Sequence, residues 1–189
     1  MIPLLILLKP GLYNAWLFMS VFILQMIVII FVDKRVRERT HVPNSVRKRQ
    51  YEKLISIIAN IVWLSALVYS IFLPLLFGTL WFYIGSFIFI PGVLLLVWST
   101  ANFITTPVDQ VIVKGVYQYA RHPMYLATIL ICVGTGIATA SWVFILITVI
   151  MAVCFHYEAR LEERYCLNMY KNLYREYLDR VPMWFGLPK

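Results

Sequence analysis

Polar residues in this chain come in blocks, separated by long stretches that carry almost none. Residues 13–32 (YNAWLFMSVFILQMIVIIFV) are free of charge. At about 1.5 Å per residue the run matches a hydrocarbon core of about 30 Å, and it predicts a first transmembrane helix. Residues 54–77 predict a second, with Pro74 near its far end. Residues 81–101 predict a third, kinked at Pro91-Gly92 because proline removes a backbone donor. The run 123–157 is longer. As one straight helix it measures about 52 Å, too much for one crossing. It therefore predicts a hairpin of two helices, turning within GTGIATAS at 134–141, where small residues collect. Five spans result. The tail from His156 predicts a helix continuing to about Arg180, where Val181-Pro182 ends it. Tyr170, Leu173, Tyr174 and Tyr177 recur along it at helical spacing, a stripe more usual for packing or membrane-surface contact than for a ligand.

Composition fits this reading. Of 189 residues, 61% are hydrophobic and 14% charged. The mean hydropathy is +0.78. A soluble domain of this size has no interior large enough for so much apolar surface, so the bilayer is part of the solvent. The chain predicts one all-α membrane domain over 1–189, with three spans in 1–101. The apolar start IPLLILL has no basic residues before it and no small-residue cleavage site after it, which speaks against a cleaved signal peptide. Cys132, Cys154 and Cys166 lack CxxC spacing, and His41, His122 and His156 are scattered, so no metal site is expected.

Charge orients the spans. The segment 33–53 holds eight of the seventeen Lys and Arg, Lys114 and Arg121 precede the hairpin, and six more follow residue 158. With five spans these all fall on one side, together with all nine acidic residues, and only Lys9 falls on the other. The positive-inside rule makes the charged side cytoplasmic and the amino terminus external. The net charge of +8 suits anionic lipid headgroups. No nucleic-acid-binding module is recognisable, so membrane lipids rather than nucleic acid are the expected partners.

Two stretches are more polar than topology requires. In ARHPMY, Pro123 fits the first turn of the fourth span, and the His122 side chain is a candidate cap for the open backbone donors. A helix start beside Arg121 is also a place for an anionic group. An interfacial anchor of arginine and tyrosine explains the same residues. In EARLEERY, Glu158 and Glu162 share a helix face, and Arg160 and Glu163 are spaced to pair. A solvated helix end explains that stretch taken alone. The hairpin joins the two: antiparallel neighbours return residue 122 and residues 158–163 to one depth, bringing Arg121, His122 and Tyr125 towards Glu162 and Glu163. No GxGxxG, P-loop or HExxH motif is present.

GVYQYARHPMY, a hydrophobic hairpin, a Glu-Glu pair and then Y-x3-Y-x2-Y-x3-VP resemble the isoprenylcysteine carboxyl methyltransferases and the related membrane phospholipid methyltransferases. The resemblance runs from Asn102 to Pro182 and makes 102–189 the catalytic half. It implies S-adenosylmethionine as methyl donor, S-adenosylhomocysteine as product, no metal, and a lipophilic or prenylated acceptor entering from the bilayer. By position it implies that Asn102, the strand-like Asp109-Gln110-Val111-Ile112, Tyr117, His122-Pro123-Met124-Tyr125 and Glu162-Glu163 hold the donor. Arg121, Glu158, Arg160 and Glu162 are the candidates for catalysis. Two positions depart from the family pattern. Ala127 replaces the glycine of RHPxYxG, and Glu158 stands where the isoprenylcysteine enzymes carry an arginine for the substrate carboxylate, with Arg160 half a turn away.

The resemblance makes the carboxylate of an isoprenylcysteine or a similar lipid-like molecule the expected acceptor; ionised at neutral pH, it needs no base. An amine acceptor, as in phospholipid methylation, needs a group to take a proton, and Glu158 or Glu162 would serve. Other readings are a sterol-type reductase using NADPH, whose family shares an RHPNYxG-like element, and a non-catalytic membrane scaffold.

Overall fold

The computed structural model describes residues 9–32, 34, 36 and 50–187. The apolar residues 1–8 and most of the basic segment 33–53, including His41, lie outside them. Among the described residues six α-helices account for the architecture and no strand is present. They are α1 (Trp16–Phe31), α2 (Gln50–Ser70), α3 (Leu80–Thr105), α4 (Pro123–Ala138), α5 (Trp142–Tyr170) and α6 (Asn172–Arg180), with a short 3-10 turn at Gly115–Gln118. The fold is that of an all-α membrane protein. Three helices, α2, α3 and α5, are long and apolar enough to cross a bilayer, and α1 and α4 are shorter apolar helices. Phe87, Leu94 and Val153 are more than half exposed on α3 and α5, as side chains meeting lipid should be.

The second span ends earlier than its apolar run. Pro74 disfavours helix at the residue before it, and the chain after Ser70 turns to pair its backbone with the entry to α1. Ala15 N donates to Leu73 O at 2.8 Å, and Leu75 N to Tyr13 O at 3.1 Å. The buried Asn14 side chain donates to Lys9 O at 2.6 Å and to Ile71 O at 2.7 Å, closing this end of the bundle. Helix α3 runs through Pro91 without interruption.

The hairpin turns where small residues collect, at Thr139–Ser141. Ala140 takes a positive φ of 49° there. The Ser141 side chain accepts from Phe144 N at 3.2 Å and starts α5. Helix α4 packs on α3 backbone to backbone. A Cβ added at Gly85 would lie 2.3 Å from Ala138 N, and one at Gly134 would lie 2.7 Å from Gly85 O. Such contacts are the small-residue packing of membrane helices. Ala127 is fully buried.

Length decides what α5 does. Its 29 residues span about 44 Å, more than a hydrocarbon core of about 30 Å. Its last third therefore stands beyond the apolar layer and carries Glu162, Glu163 and Arg164, with Glu158 just before it. Two polar contacts tie it to α2: Ser56 Oγ donates to Glu158 Oε1 at 2.5 Å, and Arg164 pairs with Glu52 at 2.8 Å. The tail is not one continuous helix. Lys171 adopts φ 48° and ψ −119° and separates α6 from α5. Tyr174, Tyr177 and Val181 then form a small core of their own, against Val111, Cys166 and Tyr170.

Candidate active site

The site begins at the start of α4. Pro123 occupies the first turn as its missing N–H allows. The His122 side chain does not cap the helix. Its ring turns to α5 instead, with Nε2 3.2 Å from Glu163 Oε1 and Nδ1 3.5 Å from Glu162 Oε2. Only an imidazolium donates from both nitrogens at once. Burial on its own lowers the His122 pKa, but hydrogen bonds to Glu162 and Glu163 and the charges of both carboxylates outweigh it, and the net shift is upward from 6.5. Arg121 Nε donates to Glu163 Oε1 at 2.7 Å, both side chains 12% exposed. Arg121 and His122 thus share the Glu163 carboxylate in a nearly dry place, the condition for keeping charge there at all, while Glu162 reaches towards water. Glu163 pairs with Arg121, not with the neighbouring Arg160 that its spacing suggested.

Tyr125 adds a third partner to the carboxylates by donating its hydroxyl to Glu162 Oε1. Its ring is stacked between His122, at 5.7 Å and 11°, and Phe155, at 4.5 Å and 14°. These side chains border a cavity of about 280 Å³, near the lower end of small-molecule sites at roughly 300–1,000 Å³. Tyr117, Tyr125, Tyr165, Tyr170, Tyr174 and Tyr177 make much of its wall. Two of them also tie the loop after α3 to the tail: Tyr177 donates to Tyr117 O at 2.7 Å and Tyr170 to Val108 O at 3.0 Å. Burial pushes the Tyr174 and Tyr177 hydroxyls well above their ordinary range, so both stay neutral. Ile29 of α1 and Phe103 of α3 complete the lining, so one cavity touches both the charged cluster and the membrane helices.

Of the residues singled out in the sequence, Val111, Ile112, Tyr117, Arg121, His122, Pro123, Met124, Tyr125 and Glu162 line this cavity. Glu163 sits directly behind it on Arg121 and His122. Five others are elsewhere. Asn102 Oδ1 accepts from Val116 N at 3.2 Å and lies against Gly115, where a Cβ would fall 2.0 Å from that oxygen and where φ is +62°. Asp109 and Gln110 are exposed in a turn closed by Gln110 N to Pro107 O at 3.1 Å, so the stretch expected to be strand-like starts as a turn. Glu158 is held by Ser56 outside the cavity lining, and Arg160 is exposed. The cavity also contains Ile29, Phe103, Tyr165 and Cys166, which the sequence did not single out. For Tyr170, Tyr174 and Tyr177 the signal was present as the aromatic stripe. Its fourth member, Leu173, points away and is 67% exposed.

A family model described as phospholipid methyltransferase matches residues 74–173, from the turn after α2 through α5 to the first residues of α6. The chain belongs to this family. The match covers both halves of the charged cluster, the α4 start and the Glu162-Glu163 pair, and leaves α1 and α2 outside. No curated protein matches the chain. The protein is thus a membrane methyltransferase, and family membership sets aside the reductase and scaffold readings. In this methyltransferase the polar groups meet at the ends of α4 and α5, where two membrane helices emerge side by side.

Proposed function

We propose that this protein transfers a methyl group from S-adenosylmethionine to a lipid-like acceptor, leaving S-adenosylhomocysteine. One observation carries the reading: a single cavity has a charged, tyrosine-walled end and a wall made by membrane helices. A water-soluble donor and a bilayer-borne acceptor need such a meeting place. The lining suits the donor. Aromatic faces attract a sulfonium as they attract other cations, and Glu162, with side chain 34% exposed, is an acceptor for amino or hydroxyl hydrogens. When bound, the donor supplies an electrophilic methyl group that is already activated. The work left to the protein is to align the acceptor and exclude water. Met124, Val111, Ile112 and the tyrosine rings do the excluding, while the Tyr125 and His122 contacts fix the Glu162 carboxylate.

For the acceptor, the isoprenylcysteine carboxylate expected from the resemblance asks for a cation in the wall. Arg160 is exposed outside the cavity, and Arg121 is engaged by Glu163 and by two backbone carbonyls. These placements favour an amine of a phospholipid headgroup. The headgroup ammonium first gives up one proton, which we assign to Glu162; the freed lone pair then forms the N–C bond as the donor's S–CH3 bond breaks and its electron pair stays on sulfur. The test is direct. Detergent-purified protein should bind S-adenosylhomocysteine in calorimetry, and no heat at millimolar ligand ends the donor reading. With labelled donor, vesicles of phosphatidylethanolamine should acquire label ahead of a prenylcysteine peptide, and the reverse preference returns the acceptor to the carboxylate class.

A further inference from the structure

Arg121 is bound into the fold on every side the structure records. Besides its pair with Glu163, its Nη1 donates to the carbonyl of Leu178 at 3.2 Å and to that of Val181. Those carbonyls belong to the last turn and C-cap of α6, where helix geometry supplies no internal partner. The backbone repeats the tie: Arg121 N donates to Pro182 O at 3.0 Å, His122 N to Met183 O at 3.3 Å, and Gly186 N to Tyr119 O at 3.0 Å. The other end of α6 follows α5 through Lys171, whose positive φ favours glycine rather than a side chain. A helix of nine residues is therefore strained at one end and fastened at the other. Between these points it presents buried Tyr174 and Tyr177 to the cavity and exposed Arg175, Glu176, Asp179 and Arg180 to the opposite side. The Ile29 and Phe103 wall faces apolar helices, so α6 is the wall a polar ligand can cross into water.

We propose that Arg121 is a positioning residue, the latch of a cap formed by α6 and residues 181–187, and that this cap swings about Lys171 to exchange the water-soluble donor. The proposal rests on the reading that the cavity takes S-adenosylmethionine. Arg121 acts through the cap: closed, it holds the Tyr174 and Tyr177 rings over the bound ligand, and open, it frees them.

Cys166 reports the motion, because its thiol, which is in no disulfide, lies beneath α6 in the cavity wall, whereas Cys132 and Cys154 are buried. Purified full-length protein is treated with a charged, water-soluble maleimide, and the labelling rate of Cys166 is read by mass spectrometry. Arg121→Gln should speed labelling by about tenfold or more, the effect of losing charge-assisted hydrogen bonds. The Tyr119→Cys/Gly186→Cys pair, whose backbones are hydrogen-bonded to each other, places a disulfide across the fastened end. Oxidised, it should slow labelling below the native rate, restore slow labelling in the Arg121→Gln background, and delay release of S-adenosylhomocysteine. Equal labelling rates in native, Arg121→Gln and oxidised proteins overturn the latch. Should Arg121→Gln not fold, the oxidised pair in the native background decides the matter alone. Labelling that follows the cap as expected, without protection by S-adenosylhomocysteine, keeps the latch and removes the assigned donor.

Discussion

His122 shows how a single side chain takes its role from its neighbours. In sequence it is the residue before a helix, and capping was a sound expectation. In the fold both ring nitrogens face carboxylates, and the imidazole binds its proton more tightly than in the unfolded chain. The resulting stabilisation is complete below the unfolded value of about 6.5 and disappears as pH rises through the raised folded value. Thermal unfolding in detergent should therefore show the native protein losing stability above about pH 6.5 relative to His122→Gln. Parallel curves for the two would refute the bridging imidazolium. Glu163 is the other residue whose loss is informative. Glu163→Ala leaves Arg121 and His122 nearly buried without their shared carboxylate, and should cost about 3 kcal/mol. The two carbonyls on Arg121 keep the effect near the low end of the roughly 3–5 kcal/mol that breaking a buried pair costs. A loss below about 0.5 kcal/mol, as for an ordinary surface position, would show that the cluster is not held as a unit.

Elements set how closely these residues meet. The α3–α4 contact is built on glycines, and Gly85→Ala would force backbone apart, since the new Cβ falls 2.5 Å from Gly134 O. The expected loss is about 1–3 kcal/mol, as for overpacked cores. Phe87→Ala on the lipid-facing side of the same helix, where Phe87 is 78% exposed, should cost less. If the larger deletion proves the more harmful, α3 is packed differently. The hairpin itself was legible because a run of that length cannot cross a bilayer once. The break at Lys171 was not, because neither proline nor glycine marks it and the helical pattern runs on. What interrupts the helix is a contact made elsewhere, the docking of Tyr174 and Tyr177 onto the cavity and the loop after α3.

Across the whole molecule, the paired charges among the described residues collect at one end, with Lys9 at the other. Arg121, Glu162, Glu163 and Arg164 meet at the start of α4 and the outer third of α5, while the other end is closed by Asn14 and neutral backbone. We propose from the positive-inside rule that the charged end is cytoplasmic. A fluorescent-protein fusion at the carboxyl terminus should glow, and an alkaline phosphatase fusion there should stay inactive. The opposite result reverses the orientation and puts the donor cavity on the external side.

Hydrophobic run lengths by themselves determined the class of fold, the hairpin and its turn, since the bilayer imposes one length scale on every span. The ordered signature from Arg121 to Glu163 likewise determined the family. Tertiary structure alone decided which polar residues share a space. It placed Asn102 under a 3-10 turn and Arg160 in solvent, and drew three tail tyrosines into the cavity. It also turned Arg121 towards the carbonyls of Leu178 and Val181. Side-chain direction at a helix end depends on what the neighbouring elements leave unsatisfied, and a hydrophobic pattern carries no record of that.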